Sequence, residues 1–160
     1  MSYESDPIAM KLNEWVLVQD LHWDLESFDI MSPMEKALIG TWELMNEVYN
    51  GGFMQYFHNS SRARAKPMVD VLRSFGAVEA VEVLQAAIAL AGPETAAGAA
   101  LGLVAAIKTA PDEVRDQLRS LERRLFKCAD ETHLQLYRYL LQHRDEIEAP
   151  AGFWAEANIQ

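Results

Sequence analysis

Cysteine is almost absent from this 160-residue chain, in which Cys128 is the only one. A single thiol cannot form an intramolecular disulfide, and it cannot supply the cysteine ligands of a zinc site. The first residues also lack the basic start and apolar run of a secretory signal. We therefore expect a cytoplasmic protein.

Long apolar runs are missing as well. The most apolar stretch, residues 94–109, is rich in alanine and holds Gly98 and Gly102 four positions apart. This spacing lets two helices approach closely, but the run is too short to cross a bilayer. It predicts a helix packed in a protein core, and no membrane partner.

Basic residues are scarce, with 14 Lys and Arg against 24 Asp and Glu and a net charge of -10. The deficit is concentrated at the start, because residues 1–50 hold ten carboxylates against two lysines, a net charge of -8. Residues 51–78 hold four basic residues against one acid, a net charge of +3. Binding to nucleic acid needs clustered Lys and Arg, so we expect no direct binding of nucleic acid and instead a basic protein partner.

Recognised catalytic and metal-binding motifs are absent too. The sequence has no HExxH motif, no Gly-x-Ser-x-Gly elbow and no glycine-rich phosphate loop. His22 and Glu26 are one helical turn apart, but a metal site needs three or four convergent ligands. His133 and His143 are predicted to be surface histidines, and Cys128 a buried or half-buried structural residue. These absences predict a protein that is not an enzyme and needs no metal or cofactor.

Helix signals are plentiful by contrast. Ser32, Pro33 and Glu35 form a capping box, Pro7 opens a first helix, and Asp130 is the expected cap of the last, which Pro150 should end. Other helices are predicted over residues 53–59, 64–75, 77–91, 94–109 and 111–128. Residues 21–31 alternate acidic and apolar side chains as a strand would, but they have no partner strand, and we expect an irregular connection.

These signals predict an all-α fold, a single compact bundle of about seven helices without a sheet that spans residues 1–160. Residues 149–160 are predicted to be a C-terminal tail. Its Phe153 and Trp154 are expected to fold back either onto the surface or onto a neighbouring chain, which leaves a homodimer open.

The chain is organised around a corner at residues 47–60. An apolar helical pattern runs into Asn50, Gly51 and Gly52 interrupt it, and a second pattern begins at Phe53. One glycine can adopt the left-handed conformation that closes a helix, and the other can admit close approach of the next helix. We predict a tight turn in which at least one glycine has a positive φ.

Polar side chains surround this corner, namely Glu47, Asn50, Gln55 and Asn59. About eight backbone groups lose their helical partners where one helix ends and another begins, and amide and carboxylate groups satisfy them well. We interpret the four as structural. The alternative is a polar pocket, together with His58, that binds a small ligand or carries out catalysis.

The string Asn50-Gly51-Gly52-Phe53, followed by Gln55-Tyr56-Phe57 and Asn59-Ser60 and preceded by Glu47, resembles the signature of a family of small bacterial proteins. The family is named after a DNA-mimic protein. The resemblance extends over about residues 34–147 and includes Arg73-Ser74-Phe75-Gly76-Ala77, where the family has a helix ending in Gly-Ala. It implies a protein that presents carboxylates in the manner of DNA phosphates to the basic face of a DNA-binding protein, such as a transcriptional regulator.

Charge and resemblance together give the hypothesis of an acidic, non-enzymatic protein-binding module. Acids one helical turn apart lie about 5 to 6 Å from each other, so rows of them approximate part of the charge density of duplex DNA. The basic residues between 62 and 73 interrupt such a surface, which leaves a general interaction module without mimicry as a further alternative. The candidate partner-binding acids are Glu14, Asp20, Asp24, Glu26, Asp29, Glu35 and Glu43.

Overall fold

Helix α3 is the element around which the others pack. In the computed structural model, which describes residues 6–18, 25–59, 64–91 and 111–154, seven α-helices and no strand are found. The all-α prediction is confirmed for this part of the chain. The helices are α1 (Pro7–Val18), α2 (Leu25–Ile30), α3 (Pro33–His58), α4 (Ala65–Ser74), α5 (Val78–Ala91), α6 (Asp112–Lys127) and α7 (Ala129–Gln142).

The start of α3 is fixed by its capping box, as predicted. The Ser32 hydroxyl accepts a hydrogen bond from the Glu35 amide at 3.2 Å, and the Glu35 carboxylate accepts one from the Ser32 amide at 2.8 Å. From there α3 contacts α1, α4, α6 and α7. Its buried side chains, among them Leu38, Leu44 and Phe57, form the centre of the core.

Helix α1 is fastened to the end of the chain. Trp15 is fully buried, and its ring lies 4.4 Å from that of Phe153 and 5.6 Å from that of Trp154, measured between centroids. The Lys11 ammonium group donates a hydrogen bond to the Phe153 carbonyl oxygen. The C-terminal aromatic residues therefore fold back onto their own chain.

Three expectations about helix bounds need correction. Helix α2 occupies part of the segment expected to be irregular, because buried Phe28 gives it a contact with the core. Asp130 does not cap α7, which begins at Ala129 with Cys128 at the cap position and no side-chain cap. That helix also ends at Gln142, eight residues before Pro150.

The alanine-rich helix predicted over residues 94–109 lies outside the described residues. None of the helices that the structure describes is long and apolar enough to cross a membrane.

Candidate partner-binding surface and the Gly51–Gly52 corner

Helix α3 is kinked at the predicted corner. Gly51 has φ -154° and ψ 17°, and Gly52 has φ 74° and ψ -175°, so helical geometry is interrupted and resumes at Phe53. The prediction of a positive φ is confirmed at Gly52. Its ψ differs from the left-handed helical value, however, and lies in an extended region that is essentially accessible to glycine alone.

A carboxylate from α6 completes the corner. Glu122 Oε1 accepts a hydrogen bond from the Phe53 amide at 3.1 Å, which satisfies one of the backbone donors left open where the helix resumes. A Cβ atom at Gly52 would lie 2.3 Å from the same oxygen. The absence of a side chain at Gly52 therefore makes room for the carboxylate.

The polar residues of the motif connect the two arms of α3. Glu47 Oε2 accepts a hydrogen bond from the Asn59 side chain at 2.6 Å, and the Asn59 amide donates to the Gln55 carbonyl at 3.0 Å. Asn50 is exposed. A Cβ atom at Gly51 would meet the Gln55 side chain. These contacts favour the structural interpretation of the polar cluster.

The aromatic residues of the motif belong to the core. Phe53, Tyr56 and Phe57 are fully buried, and the rings of Phe53 and Phe57 are stacked with centroids 5.8 Å apart. Burial raises the pKa of the Tyr56 phenol, with a smaller contribution from the Glu43 carboxylate. The three rings are not available as a platform for a ligand.

A small cavity of about 170 Å³ opens beside the corner. None of Glu47, Asn50, Gln55 and Asn59 lines it, so the geometry does not favour the ligand-binding alternative that relied on them. Its two arginines each pair with an aspartate on their own helix, Arg115 with Asp112 and Arg119 with Asp116. The cavity is lined by Gly51, Gly52, Met54, Arg115, Leu118, Arg119 and Glu122.

The candidate acids fall into different environments. Glu14 on α1 and Asp29 on α2 are exposed, and neither forms an ion pair within the described residues. Glu35 is half-buried in the capping box. Asp20 and Asp24 lie outside the described residues, and the Glu26 side chain is likewise not described.

The structure corrects the prediction for Glu43. Its prediction as a surface acid is wrong, because the side chain is buried and its Oε2 lies 2.8 Å from Arg64 Nη1 in an ion pair. Arg64 is 3% exposed and its guanidinium lies 5.3 Å from the centre of the Phe28 ring. The ion pair connects α3 with the start of α4, and the contact of Arg64 with Phe28 adds α2. It also buries one of the basic residues between 62 and 73.

Ion pairing is unevenly distributed among the exposed charges. Lys11 and Lys36, the only basic residues before residue 51, direct their ammonium groups to the carbonyl oxygens of Phe153 and Asp29. In α4 and α6, by contrast, arginines pair with carboxylates. These pairs are Arg73 with Asp70, Arg115 with Asp112, Arg119 with Asp116, and Arg124 with Glu79 and Glu82.

His133 and Cys128 have side chains that can take part in catalysis, but their contacts here are structural. His133 was predicted at the surface, but it is 3% exposed and its Nδ1 lies 3.3 Å from Asp6 Oδ2. Burial lowers the His133 pKa, while Asp6 partly offsets this. Burial raises the pKa of the Cys128 thiol, which donates to the Leu125 carbonyl. Among the described residues, no three His, Cys, Asp or Glu side chains cluster as metal ligands would.

A family model described as DMP19-like protein matches residues 29–143. The chain belongs to this family. No curated protein and no solved structure matched in the corresponding searches. The matched range includes α3 with its Gly51–Gly52 corner and continues through α7, whereas α1 and the Phe153–Trp154 segment lie outside it.

Proposed function

We propose that this protein is an acidic, non-enzymatic module that binds a basic partner. In its sharpest form it is a DNA mimic that occupies the DNA-binding face of a protein such as a transcriptional regulator. Membership of the DMP19-like family supports the mimic form, because the family resemblance implies it. The observation that carries the proposal is the negative charge of the first fifty residues, which exposed Glu14 and Asp29 present without an ion pair in the described chain.

Pairing elsewhere supports this choice of surface. Carboxylates held by arginines on their own or a neighbouring helix attract a partner less, since the cation cancels most of their field. Asp112 and Asp116 are in that position, as are Glu79 and Glu82. The basic residues between 62 and 73 interrupt an acidic surface less than the sequence implies, because Arg64 is buried and Arg73 is paired with Asp70.

The proposed mode of binding is electrostatic. Lys and Arg side chains that normally contact phosphates would contact the carboxylates of α1, of α2 and of the segment between them. Exposed charges are screened over about 8 to 10 Å at physiological ionic strength, so association should weaken as salt is added. Free duplex DNA should compete for the same partner, because both would occupy one basic face.

The test begins with the partner, captured from the native lysate with and without competing duplex DNA and then purified. Asp20, Asp24, Glu26 and Asp29 are changed together to their amides. The matched control changes Asp112, Glu113, Asp116 and Asp145 to amides, which removes the same number of carboxylates from exposed positions. We expect the first variant to lose most of its affinity and its salt dependence, and the control to retain both.

Two outcomes would count against the proposal. If the first variant folds and binds its partner as the wild type does, the acidic segment is not the binding surface. If binding is lost with the charges but DNA does not compete, the protein is an acidic interaction module and the mimic form is wrong.

A further inference from the structure

Helix α1 has two apolar faces. Its inner face buries Ala9, Leu12, Trp15 and Val16. Its outer face carries Met10, Leu17 and Val18, which are 56%, 63% and 65% exposed. At 100° per residue these three side chains lie on one side of the helix and flank Glu14, which is also exposed.

This arrangement is unusual for a surface helix. A helix that packs on a core with one face normally carries polar residues on the other, and a helix that is apolar all round is normally covered on both sides. Helix α6 follows the rule, since its exposed positions include Glu113, Asp116, Gln117, Ser120 and Arg123. The outer apolar residues of α1 are therefore largely accessible to another molecule.

We propose that the outer face of α1 is the apolar centre of the partner-binding surface, and that the partner's basic face carries an apolar patch of its own to meet it. This inference rests on the proposed function and adds the chemistry of the partner to it. A surface that only imitated phosphates would not need three large apolar side chains around a carboxylate.

The charges around α1 favour a cationic partner over a second copy of this chain. Glu14 lies within the apolar face, and residues 1–50 carry a net charge of -8. Helix α7 packs on α1, and the contact of its His133 with Asp6 places the first turn of α7, with exposed Asp130 and Glu131, near the start of α1. A second copy of this chain would bring like charges together, whereas a cationic partner relieves their repulsion.

The apolar contact has a measurable consequence for specificity. Charge attraction alone fades with salt, while burial of apolar surface does not. A partner with both features should stay partly bound at a salt concentration that releases a purely cationic one. Because α1 precedes the residues matched by the DMP19-like family model, this selectivity belongs to the part of the chain outside that match.

The test uses two synthetic helical peptides of equal length and equal positive charge as probes. One carries a leucine face opposite its lysines, and the other carries serine and alanine at those positions. The protein variants are Met10→Gln, Leu17→Gln and Val18→Thr combined, with Val78→Thr as the control because Val78 is 66% exposed on α5. Affinities are measured at low and high salt, and the Met10 methyl resonance reports where each peptide binds.

We expect the wild type and Val78→Thr to bind the leucine peptide about tenfold or more tightly than the serine peptide, with a shift of the Met10 signal. The triple variant should lose this preference and keep its melting temperature. Equal affinity of the wild type for both peptides, or a preference that survives in the triple variant, would overturn the inference.

Sedimentation of the protein alone tests whether a second copy covers the outer face of α1, and removal of residues 155–160 tests whether the chain's own end does. A wild-type dimer that the triple variant dissociates would show that a second copy covers the face, and would overturn the inference. Leucine-peptide binding that appears only after removal of residues 155–160 would overturn it in favour of the chain's own end. Failure of the proposed function looks different, because amides at Asp20, Asp24, Glu26 and Asp29 would then leave the affinity for both peptides unchanged.

Discussion

Glu122 and Phe53 are 69 positions apart in the sequence and are joined by a hydrogen bond from the Phe53 amide to Glu122 Oε1. The bond connects α6 to the corner of α3 where the helix resumes after Gly52. A carboxylate at this place satisfies an open amide and is favoured by the positive end of the peptide dipoles. It therefore connects the most distinctive stretch of the sequence to the second half of the molecule.

The first prediction concerns this hydrogen bond. Glu122→Ala removes the acceptor of this partly buried hydrogen bond and should lower the free energy of unfolding by about 1 to 2 kcal/mol. Glu122→Gln keeps an acceptor oxygen and should lose less than half of that. Urea unfolding monitored by tryptophan fluorescence measures both. Equal losses in the two variants would show that the charge, and not the hydrogen bond, is what matters.

The second prediction separates two roles of Gly52. Gly52→Ala introduces a Cβ atom at a positive φ and against Glu122, and should cost about 2 kcal/mol or more. Gly76 also has a positive φ, 80°, but has no atom within 4 Å of the Cβ position, so Gly76→Ala should cost only about 1 kcal/mol of backbone strain. Urea unfolding of both variants provides the comparison. Equal costs would mean that room for the Glu122 carboxylate is not required.

Local patterns predicted most of the helices. The capping box at Ser32, the glycine corner and the proline before α6 are signals that a few neighbouring residues carry, and each stands where the structure begins or interrupts a helix. The bounds of α2 and α7 were harder to predict. Helix α2 coincides with the burial of Phe28, and the start of α7 with hydrogen bonds from the Thr132 amide and hydroxyl to the Cys128 carbonyl.

The contacts of the candidate site were less accessible from sequence. Glu43 looked like a surface acid because it lies one turn before Glu47, and only its tertiary contact with Arg64 shows that it is buried. Glu122 carries no local sign of its contact with Phe53. His133 did offer a signal, since it is one turn before Leu136 and Tyr137 on the buried side of α7.

The third prediction concerns the ion pair of Glu43 and Arg64. Arg64→Met leaves a buried carboxylate without its cation and should cost about 3 to 5 kcal/mol. Replacing both partners, with Glu43→Leu added, removes the stranded charge, so the double variant should be more stable than Arg64→Met alone. Urea unfolding of the two single variants and the double variant completes the cycle. If the losses simply add, the two side chains do not act as a pair.

The last prediction is a dependence of stability on pH that originates at His133. Burial lowers the pKa of this imidazole in the folded protein, whereas an unfolded histidine has a pKa of about 6.5. Below that pH the unfolded chain binds a proton that folded His133 resists, so stability should be fully present above about pH 6.5 and fall as the pH is lowered further. The contribution of one such group has a slope of at most about 1.4 kcal/mol per pH unit, and Asp6 beside the ring reduces it.

Urea unfolding between about pH 8 and pH 5.5, a range in which histidine commonly titrates, measures this contribution. His133→Asn should be less stable than the wild type at pH 8, and the difference between the two should narrow as the pH falls. His143→Asn serves as the control for the loss of an imidazole outside the core, since His143 is half-buried at the end of α7 beside Glu146. If the wild type and His133→Asn give parallel profiles, His133 makes no contribution to the dependence of stability on pH, and the prediction is wrong.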